Sequence, residues 1–410
     1  MVSYYQDNHI TLYNSSCFDM SKLPDESVQC VVTSPPYWGL RKYAGEQELV
    51  WGGNKDCEHE WDSYIRPKNT WGTPNKNVDG MVQTIEQGFC SLCGAWKGSY
   101  GMEPTPEMYI EHTILILREI RRVLRKDGVV FWNIGDTFYG GNKGYGDTRP
   151  PGSSLNNKNN EKFGDPIWLT AKKAGLKVNL KPKDLALIPF RVAIAAQDDG
   201  WWVRSDIIWS KPNPMPESVT DRPTTSHEHI LMLTKSAKYY WDAEAVREVA
   251  TGFDGRKDTM MKPSGKYSDR NIRNEGDNPN SVHTRGAERW PKSVKYEGTD
   301  YGGNGTSFRG HSGHTKGDGT MMLPGRNIRD VWKFTTQPYH DAHFAVFPER
   351  LPELCIKAAT KPDDLVLDPF SGSGTTLWVA KKLNRHAVGY ELSEEYCKLI
   401  IKRNRQQVFI

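Results

Sequence analysis

Residues 367–376 read LDPFSGSGTT. The apolar residues before Asp368 predict a strand that ends there, and Gly372 and Gly374 open the helix that follows. Glycine at such a turn permits positive φ and lets the backbone approach a ligand closely. The stretch therefore predicts a strand, a glycine turn and a helix that together cradle a small molecule.

Downstream of this turn, an apolar run ends at Glu391 in the sequence VGYEL. A carboxylate at the end of the second strand of such a unit can accept hydrogen bonds from both hydroxyls of a ribose. A P-loop would need Gly-Lys-Ser/Thr and a dinucleotide fold would need G-x-G-x-x-G, and the turn contains neither pattern. The unit is therefore typical of a nucleoside-binding site, and an ordinary βαβ turn with a structural acid is the alternative.

Upstream of the cradle the chain alternates between predicted helices and strands. Thr105 is a candidate N-cap and Pro106 the first residue of a helix over 105–126, whose apolar residues recur at spacings of three and four. Asp127-Gly128 is predicted to end this helix before the strand VVFWNIGD. The same patterns predict a helix at 184–197 and strands at 10–13, 29–33, 201–209 and in HEHILMLTKS. Such alternation is typical of an α/β sheet.

A second informative string lies far upstream, where residues 33–38 read TSPPYW at the end of the strand-like run QCVVT. Two prolines cannot continue a central strand, so the chain leaves the sheet there with a rigid backbone. Ser34 offers a hydroxyl, and Pro35 offers a carbonyl whose direction Pro36 restricts, so two acceptors can face the N–H bonds of an amino group. Tyr37 offers a ring face for a base taken out of a duplex. The alternative is a loop of prolines around a packed tyrosine.

The chemistry that fits both strings is methyl transfer from S-adenosylmethionine to an exocyclic amino group of a DNA base. The nitrogen lone pair of such a group is delocalised into the ring, and acceptors aimed at its N–H bonds orient that lone pair toward the methyl group. The reaction needs no covalent nucleophile. A carbon-5 cytosine methylase would need a cysteine after proline, and the chain contains no Pro-Cys pair.

The composition excludes several classes of protein. The 410 residues include 37% hydrophobic and 25% charged residues, enough for a real core in one large or several ordinary domains. There is no apolar run of about 18 residues and no basic and apolar leader, so we expect a cytoplasmic protein without membrane contact. Seven irregularly spaced cysteines favour a reducing compartment. A net charge of +4 is too small to indicate nucleic-acid binding by itself.

Cysteine and histidine cluster in the interval 51–100. Cys57-x-His59 and Cys90-x-x-Cys93 form two pairs of soft ligands, and Gly94 lets the backbone turn beneath a metal. Four such ligands predict structural Zn²⁺; four unrelated reduced side chains are the alternative. The remaining cysteines lie in strand-like or helix-like runs and are predicted to be packed thiols: Cys17, Cys30, Cys355 and Cys397.

The interval 252–330 is rich in glycine, polar and charged residues. It holds 14 Lys and Arg against 10 Asp and Glu, so its excess of positive charge equals that of the whole chain. Lys and Arg can follow phosphates, while Arg, Asn and Tyr can read base edges. The interval is predicted to recognise the target sequence, and a solvated insertion is the alternative.

Four stretches together resemble the motifs of one family: TSPPYWGLRKY, RRVLRKDGVVFWNIGD, HFAVFPERLPELCI and VLDPFSGSGTT. The chain resembles a prokaryotic or phage DNA amino-methyltransferase of the permuted class, in which the catalytic motif precedes the cofactor motif. The resemblance covers about two-thirds of the chain and implies S-adenosylmethionine as cofactor and double-stranded DNA as partner. It implies cofactor contacts from Asp368, Phe370, Gly372, Gly374, Thr375 and Glu391, with Phe344, Phe347 and Pro348 near the methionine end, and a catalytic loop formed by Ser34, Pro35, Pro36 and Tyr37.

Two positions need comment within this resemblance. Trp209, in IIWSKPN, is a candidate second stacking wall for the flipped base, and a core tryptophan is the alternative. Relatives often carry Gly-Asp after the first strand, where this chain has Ser15-Ser16. A carboxylate contact to the adenine of the cofactor is therefore missing or supplied by Asp19.

The expected fold is α/β, a Rossmann-like S-adenosylmethionine-dependent methyltransferase fold in a three-layer αβα arrangement. A zinc-binding insert and a target-recognition insert are expected within it. The expected segments are the first part of the catalytic domain, a zinc-ribbon-like insert, the middle part, the recognition region and the cofactor-binding part, at 1–50, 51–100, 101–251, 252–330 and 331–410. A homodimer and a cognate restriction endonuclease are candidate partners.

Serine before Pro-Pro-Tyr is found mostly in family members that methylate cytosine N4, and aspartate or asparagine mostly in those that methylate adenine N6. The favoured activity is therefore site-specific methylation of cytosine N4 in duplex DNA, with adenine N6 as the alternative. An RNA or protein-amide methylase and a catalytically inactive DNA-binding protein are more distant alternatives. The long recognition-like interval argues against the first, and the intact motifs argue against the second.

Overall fold

The computed structural model describes residues 3–39, 47–67, 82–140, 176–248, 314–315, 321–322, 326–337 and 346–405. The chain divides into two compact units. The first comprises Met1–Val246 with Arg329–Ile410, and the second comprises Arg247–Ile328. Among the described residues, no helix combines the length and the apolar character that crossing a membrane requires.

Short strands outnumber helices in the described residues. In chain order the strands are β1 (Tyr5–Gln6), β2 (Ile10–Tyr13), β3 (Val28–Thr33), β4 (Glu48–Trp51), β5 (Trp61–Pro67), β6 (Val82–Cys90), β7 (Trp96–Ser99), β8 (Leu124–Ile134), β9 (Trp202–Ser210), β10 (His227–Thr234), β11 (His314–Thr315), β12 (Met321–Met322), β13 (Val331–Lys333), β14 (Leu365–Asp368) and β15 (His386–Tyr390). The helices are α1 (Pro106–Val123), α2 (Ile188–Asp198), α3 (Arg350–Ala359), α4 (Thr375–Lys382) and α5 (Glu394–Asn404).

The first unit is built on a nine-stranded mixed sheet in the order β1-β2-β15-β14-β3-β8-β10-β9-β13. Its centre, from β2 to β8, is parallel, and β10 runs antiparallel to both β8 and β9. All six residues of β3 are buried, as expected of a central strand covered on both faces. The predicted α/β sheet is confirmed.

The two strings that dominated the sequence meet in adjacent strands. In β14, Val366 pairs with Cys30 and Leu367 with Val31 of β3. On its other side β14 pairs in parallel with β15, which confirms the predicted βαβ unit. Parallel strands end at one edge of a sheet, so Asp368, Glu391 and the loop after Thr33 lie at that edge, where α/β proteins bind ligands.

Helix α1 begins as predicted but ends earlier than predicted. The Thr105 hydroxyl accepts a hydrogen bond from the Met108 N–H at 3.2 Å, which confirms the N-cap. The helix stops at Val123, and Leu124 already pairs with Val28 in the sheet. The predicted end at Asp127-Gly128 is wrong because burial of Leu124 and pairing with β3 favour extended backbone over another helical turn.

The predicted start of the next helix at Asp184 is also wrong. Residues 184–186 hydrogen-bond back to 137–139 in an antiparallel bridge, with Ala186 N–H donating to the Thr137 carbonyl at 2.8 Å. Leu187 then adopts the left-handed conformation with φ of 59°, and α2 starts at Ile188. Pro189 lies in the first turn, where its missing N–H does no harm.

The helices of the first unit form two groups. Helix α1 packs against α2, while α3 packs against α4 and α4 against α5. The core between helices and sheet is dominated by fully buried side chains of α1 and β8, including Tyr109, Phe131 and Trp132. The predicted packed thiols Cys17, Cys30, Cys355 and Cys397 are buried.

Strands β4 to β7 form a separate four-stranded antiparallel sheet in the order β4-β7-β6-β5. Aromatic stacking joins this small sheet to the main core. The Trp51 ring stacks on His112 of α1 with centroids 4.0 Å apart, and Phe18 meets Trp51 edge-on at 4.4 Å. The small sheet therefore packs on α1 beside the edge where the two strings meet.

In the second unit, β11 and β12 pair antiparallel. Arg326 forms an ion pair with Glu248 at 2.7 Å. Most of the interval 252–330, predicted to recognise DNA, lies outside the described residues.

Candidate active site

A pocket opens at the carboxyl edge of the parallel strands. Its wall combines residues from both strings with residues from the segment after β2 and from the ends of the small sheet. Predicted site residues in its lining are Ser34, Pro36, Phe347, Phe370, Gly372, Thr375 and Glu391. The fold thus brings the diproline loop and the glycine cradle, which lie more than 300 residues apart in sequence, to one cavity.

The glycines of the cradle are required by backbone geometry. Gly372 and Gly374 have φ of 50° and 75°, values that other residues rarely adopt. A Cβ at Gly374 would also lie 3.0 Å from the Ile400 side chain of α5. The turn is closed by a hydrogen bond from Gly374 N–H to the Ser371 carbonyl at 2.7 Å, and α4 begins at Thr375.

The Glu391 carboxylate is held at the pocket wall by two backbone donors. One oxygen accepts from Gly372 N–H at 2.9 Å and the other from Ser393 N–H at 2.8 Å. The side chain is only 8% exposed, and this burial raises the pKa of Glu391 to about 7. Each oxygen retains a second lone pair, so the carboxylate can still accept two hydroxyl hydrogen bonds.

Asp368 lies beneath the glycine turn and supports it through hydrogen bonds. Its Oδ1 accepts from the Thr33 hydroxyl at 2.7 Å and from Phe370 N–H at 3.1 Å. The side chain is buried beneath the turn and is absent from the described pocket lining, and burial raises the pKa of Asp368 to about 6. These bonds tie β14 to β3 and so fix the distance between cradle and diproline loop.

An aromatic stack that the sequence patterns did not predict forms one wall. Tyr100, which follows β7, stacks on Phe370 with centroids 5.6 Å apart and on Tyr109 with centroids 5.0 Å apart. The Tyr100 hydroxyl lies 2.6 Å from the Thr113 hydroxyl. The small sheet therefore contributes directly to the pocket; the only hint in the sequence was the density of aromatic residues near its ends.

The diproline loop is fixed by residues that precede and begin α1. The Tyr109 hydroxyl donates to the Pro36 carbonyl at 3.0 Å, and Gly39 N–H donates to the Gly101 carbonyl at 2.9 Å. A Cβ at Gly101 would lie 2.9 Å from Pro36 Cβ, so glycine is needed for this approach. Among the described residues, none donates a hydrogen bond to the Pro35 carbonyl.

Ser34 and Tyr37 belong to a polar network. The Ser34 hydroxyl donates to the Tyr37 oxygen at 3.0 Å, and the Tyr37 hydroxyl donates to Glu228 at 2.8 Å. Asn133 Nδ2 lies 2.7 Å from the Tyr37 oxygen and 2.9 Å from the same Glu228 oxygen. Asn133 and Glu228 were not predicted; the signal was a polar residue within each of two apolar strands, β8 and β10.

The ring of Tyr37 packs against the backbone at Gly135. A Cβ at Gly135, just after β8, would lie 2.8 Å from Tyr37 Cε2. Glycine therefore allows the ring to lie close to the sheet edge, where its hydroxyl reaches the network. The role of this ring in stacking on a base stays a prediction.

The other predicted residues are placed as follows. Trp209 is buried at 2% exposure, stacks on Phe334 at 5.5 Å and donates its N–H to the Phe334 carbonyl. Pro348 lies just before α3, where its carbonyl accepts from Leu351 N–H, and Phe344 lies outside the described residues. Ser15 and Ser16 line the pocket, whereas Asp19 is exposed and accepts from Ser21 N–H, so it does not replace the missing carboxylate.

The four predicted metal ligands converge in the small sheet. The ligand atoms of Cys57, His59, Cys90 and Cys93 all lie within 4.8 Å of one another. Cys57 and Cys90 sulfurs are 3.9 Å apart, and Cys93 sulfur is 3.4 Å from His59 Nδ1. Tetrahedral Zn²⁺ with ordinary bond lengths would require edges of about 3.8 Å and about 3.6 Å. The donor set and its spacing therefore fit zinc, and Gly94 has the expected positive φ of 73°.

Comparison with known proteins agrees with this geometry. The profile of the N6/N4 methyltransferase family, described as DNA methylase, matches residues 28–402. Type II methyltransferase M.Cfr9I of Citrobacter freundii is 34% identical over 397 residues, 97% of this chain and 88% of that protein. M.SmaI of Serratia marcescens is 32% identical over 381 residues, 93% of this chain and 85% of that protein. The solved PvuII DNA methyltransferase (cytosine-N4-specific) has a similar fold, with a TM-score of 0.50 and 14% identity over 100% of this chain and 90% of that chain. The chain therefore belongs to the N6/N4 DNA methylase family.

Proposed function

We propose that this DNA methyltransferase methylates the exocyclic N4 of a cytosine that is rotated out of duplex DNA, using S-adenosylmethionine. The observation that carries the proposal is the shared pocket: Ser34 of the diproline loop and Glu391 of the cradle line the same cavity. The serine before Pro-Pro-Tyr favours cytosine, and adenine N6 is the alternative target.

The pocket fits S-adenosylmethionine by the chemistry of its donors. Glu391 would accept from the ribose hydroxyls, Phe370 and Tyr100 offer aromatic surface, and the hydroxyls of Ser15 and Ser16 replace the missing carboxylate. When bound, the cofactor supplies a methyl group on a positively charged sulfur. Phe347 lines the same cavity, and the resemblance assigns it to the methionine end together with Phe344 and Pro348.

The diproline loop would orient the target nitrogen. The Ser34 oxygen and the Pro35 carbonyl are two acceptors held by a rigid backbone, and they would engage the two N–H bonds of the base. This pulls the lone pair out of conjugation and stabilises the positive charge that develops on the nitrogen. Tyr37 would provide stacking surface for the extruded base, and Trp209 in β9 would do so only after Phe334, which stacks on it, moves away.

The small sheet would hold a structural zinc ion. Cys57, His59, Cys90 and Cys93 would fill four tetrahedral positions, which leaves none open for catalysis. Because Tyr100 follows this sheet and lines the pocket, the metal would stabilise one wall of the cofactor site.

Several finer features belong to the same proposal. The two helix groups would be the outer layers of a three-layer αβα arrangement, with segment boundaries near 50, 100, 251 and 330. The interval 252–330 would contact the DNA target sequence. The Type II names of the relatives support a role in restriction-modification with a cognate endonuclease, and a homodimer is the proposed assembly.

Digestion of treated DNA to nucleosides, followed by mass spectrometry, tests the proposal. N4-methylcytosine that depends on S-adenosylmethionine is the expected product, and N6-methyladenine would identify the alternative target. Parallel reactions with RNA and with protein, each using tritiated cofactor, distinguish the other methylases. If calorimetry shows no cofactor binding and no substrate gains label, the protein is a DNA-binding protein without activity and the proposal is wrong.

A further inference from the structure

Glu228 is a carboxylate in direct contact with the catalytic loop through Tyr37. It lies near the start of β10, opposite Trp209 in the sheet register, and its side chain is 17% exposed. One of its oxygens contacts Lys211 and the other accepts from Tyr37 and Asn133. A carboxylate oxygen in these contacts accepts hydrogen bonds, so Tyr37 and Asn133 are the donors.

This arrangement sets the direction of every proton in the network. Because Glu228 accepts the Tyr37 hydroxyl proton at 2.8 Å, the Tyr37 oxygen is left as an acceptor. That oxygen then accepts the Ser34 hydroxyl proton at 3.0 Å. The Ser34 oxygen consequently turns its lone pairs, not its proton, toward the pocket that it lines.

Asn133 cannot set this direction alone. Its Nδ2 carries two protons but lies near three oxygens, and the distance to Ser34 is the longest at 3.3 Å. An amide is also a neutral group that cannot take up a proton at neutral pH. The carboxylate is therefore the member of the network that can both polarise the hydroxyls and accept a proton.

We propose that Glu228, held by Lys211, is a positioning residue that polarises Tyr37 and Ser34 and receives the proton released by the base amino group. This inference rests on the proposed function but holds for either cytosine or adenine. As the nitrogen lone pair forms its bond to the methyl carbon, the carbon–sulfur bond breaks and its electron pair stays on sulfur. The surplus proton on nitrogen passes to the Ser34 oxygen while the Ser34 proton moves to Tyr37 and the Tyr37 proton moves to Glu228. The proton then leaves to solvent from the partly exposed carboxylate.

The test compares Glu228→Gln with wild type in single-turnover methylation of DNA, with enzyme in excess. Proton transfer by a positioned group typically contributes 10²- to 10⁴-fold, so the rate should fall on the order of 10²-fold. The dissociation constant for S-adenosylmethionine should stay within twofold. Glu217→Gln is the matched control, since it removes a carboxylate paired with Arg222 in the same hairpin without touching the loop, and it should keep the rate within threefold.

Making Glu228→Gln in a second variant, Tyr37→Phe, distinguishes the relay from a purely structural role of Glu228. In Tyr37→Phe, which keeps the ring but breaks the relay, adding Glu228→Gln should lower the rate by less than threefold. An undiminished further fall, or a Glu228→Gln rate within threefold of wild type, overturns the inference. If Glu228→Gln does not fold, Tyr37→Phe decides, since its full activity would equally exclude the relay. Loss of the wild-type reaction itself would instead refute the proposed function.

Discussion

The raised pKa of Glu391 predicts that cofactor binding depends on pH. In the proposed complex the ribose hydroxyls donate to the ionised Glu391 carboxylate, so the protonated form would have to lose its proton before it binds the cofactor well. With a pKa of about 7 in the free protein, the dissociation constant at pH 6 should be about tenfold higher than at pH 8, because about nine-tenths of the molecules are protonated at pH 6.

The same shift has a consequence for the unfolding free energy of the cofactor-free protein. The folded pKa lies above the unfolded value of 4.5, so the folded state holds this proton more tightly. The contribution of this group to the free energy of unfolding is therefore fully present at low pH. It falls by about 3 kcal/mol as the pH rises from about 4.5 to about 7. The neighbouring Asp368, whose pKa is also raised, changes stability in the same direction at a lower pH.

Isothermal titration with S-adenosylmethionine at pH 6, 7 and 8 measures the effect, and Glu391→Gln is the control. The amide presents an N–H group to the Gly372 or Ser393 N–H, and it loses the charge of the acceptor. A charge-assisted hydrogen bond contributes about 1.5–3 kcal/mol, so affinity at pH 8 should fall about 10- to 150-fold. The difference between the two proteins also cancels the titration of the cofactor's own amino group. A wild-type affinity that is flat from pH 6 to 8, or an equal slope in the variant, would refute the reasoning.

Three further predictions address the loop, its support and the metal. Pro35→Ala should abolish turnover while cofactor affinity stays within a few-fold, as single-turnover assays and titration can show; full activity would exclude the loop assignment. Gly135→Ala places Cβ 2.8 Å from the Tyr37 ring, so the ring must move, and turnover should fall at least about tenfold while cofactor affinity is kept. Cys93→Ser should lose zinc by metal analysis and melt at lower temperature, whereas Ser91→Ala should keep the metal; a zinc-free wild type would contradict the assignment.

The boundaries of two helices show where local patterns fail. The apolar spacing over 105–126 and the glycine at 128 both favoured a longer α1, yet Leu124 leaves the helix to pair with Val28. The residues before Ile188 likewise form a bridge with 137–139. In both places a partner distant in sequence provided hydrogen bonds that local propensity could not anticipate.

The residues of the candidate site also fall into two groups, those that the sequence could identify and those that it could not. Ser34, Gly372 and Glu391 could be found because each belongs to a short string whose residue types and spacing directly indicate its proposed chemistry. Tyr100 and Glu228 could not be found, because neither belongs to such a string. Tyr100 reaches the pocket, and Glu228 reaches Tyr37, only when the two sheets are assembled.

The sequence by itself predicted the βαβ cradle, the rigid diproline loop and the four candidate metal ligands, since turn geometry, proline backbone restriction and ligand chemistry act over a few residues. Tertiary structure alone decided that the loop and the cradle share one pocket, because this depends on β3 and β14 pairing in parallel. It also decided which side chains support the loop. Glu228 reaches Tyr37 across 191 positions of the chain, and only the packing of β10 beside β8 brings that carboxylate to the hydroxyls of the diproline loop.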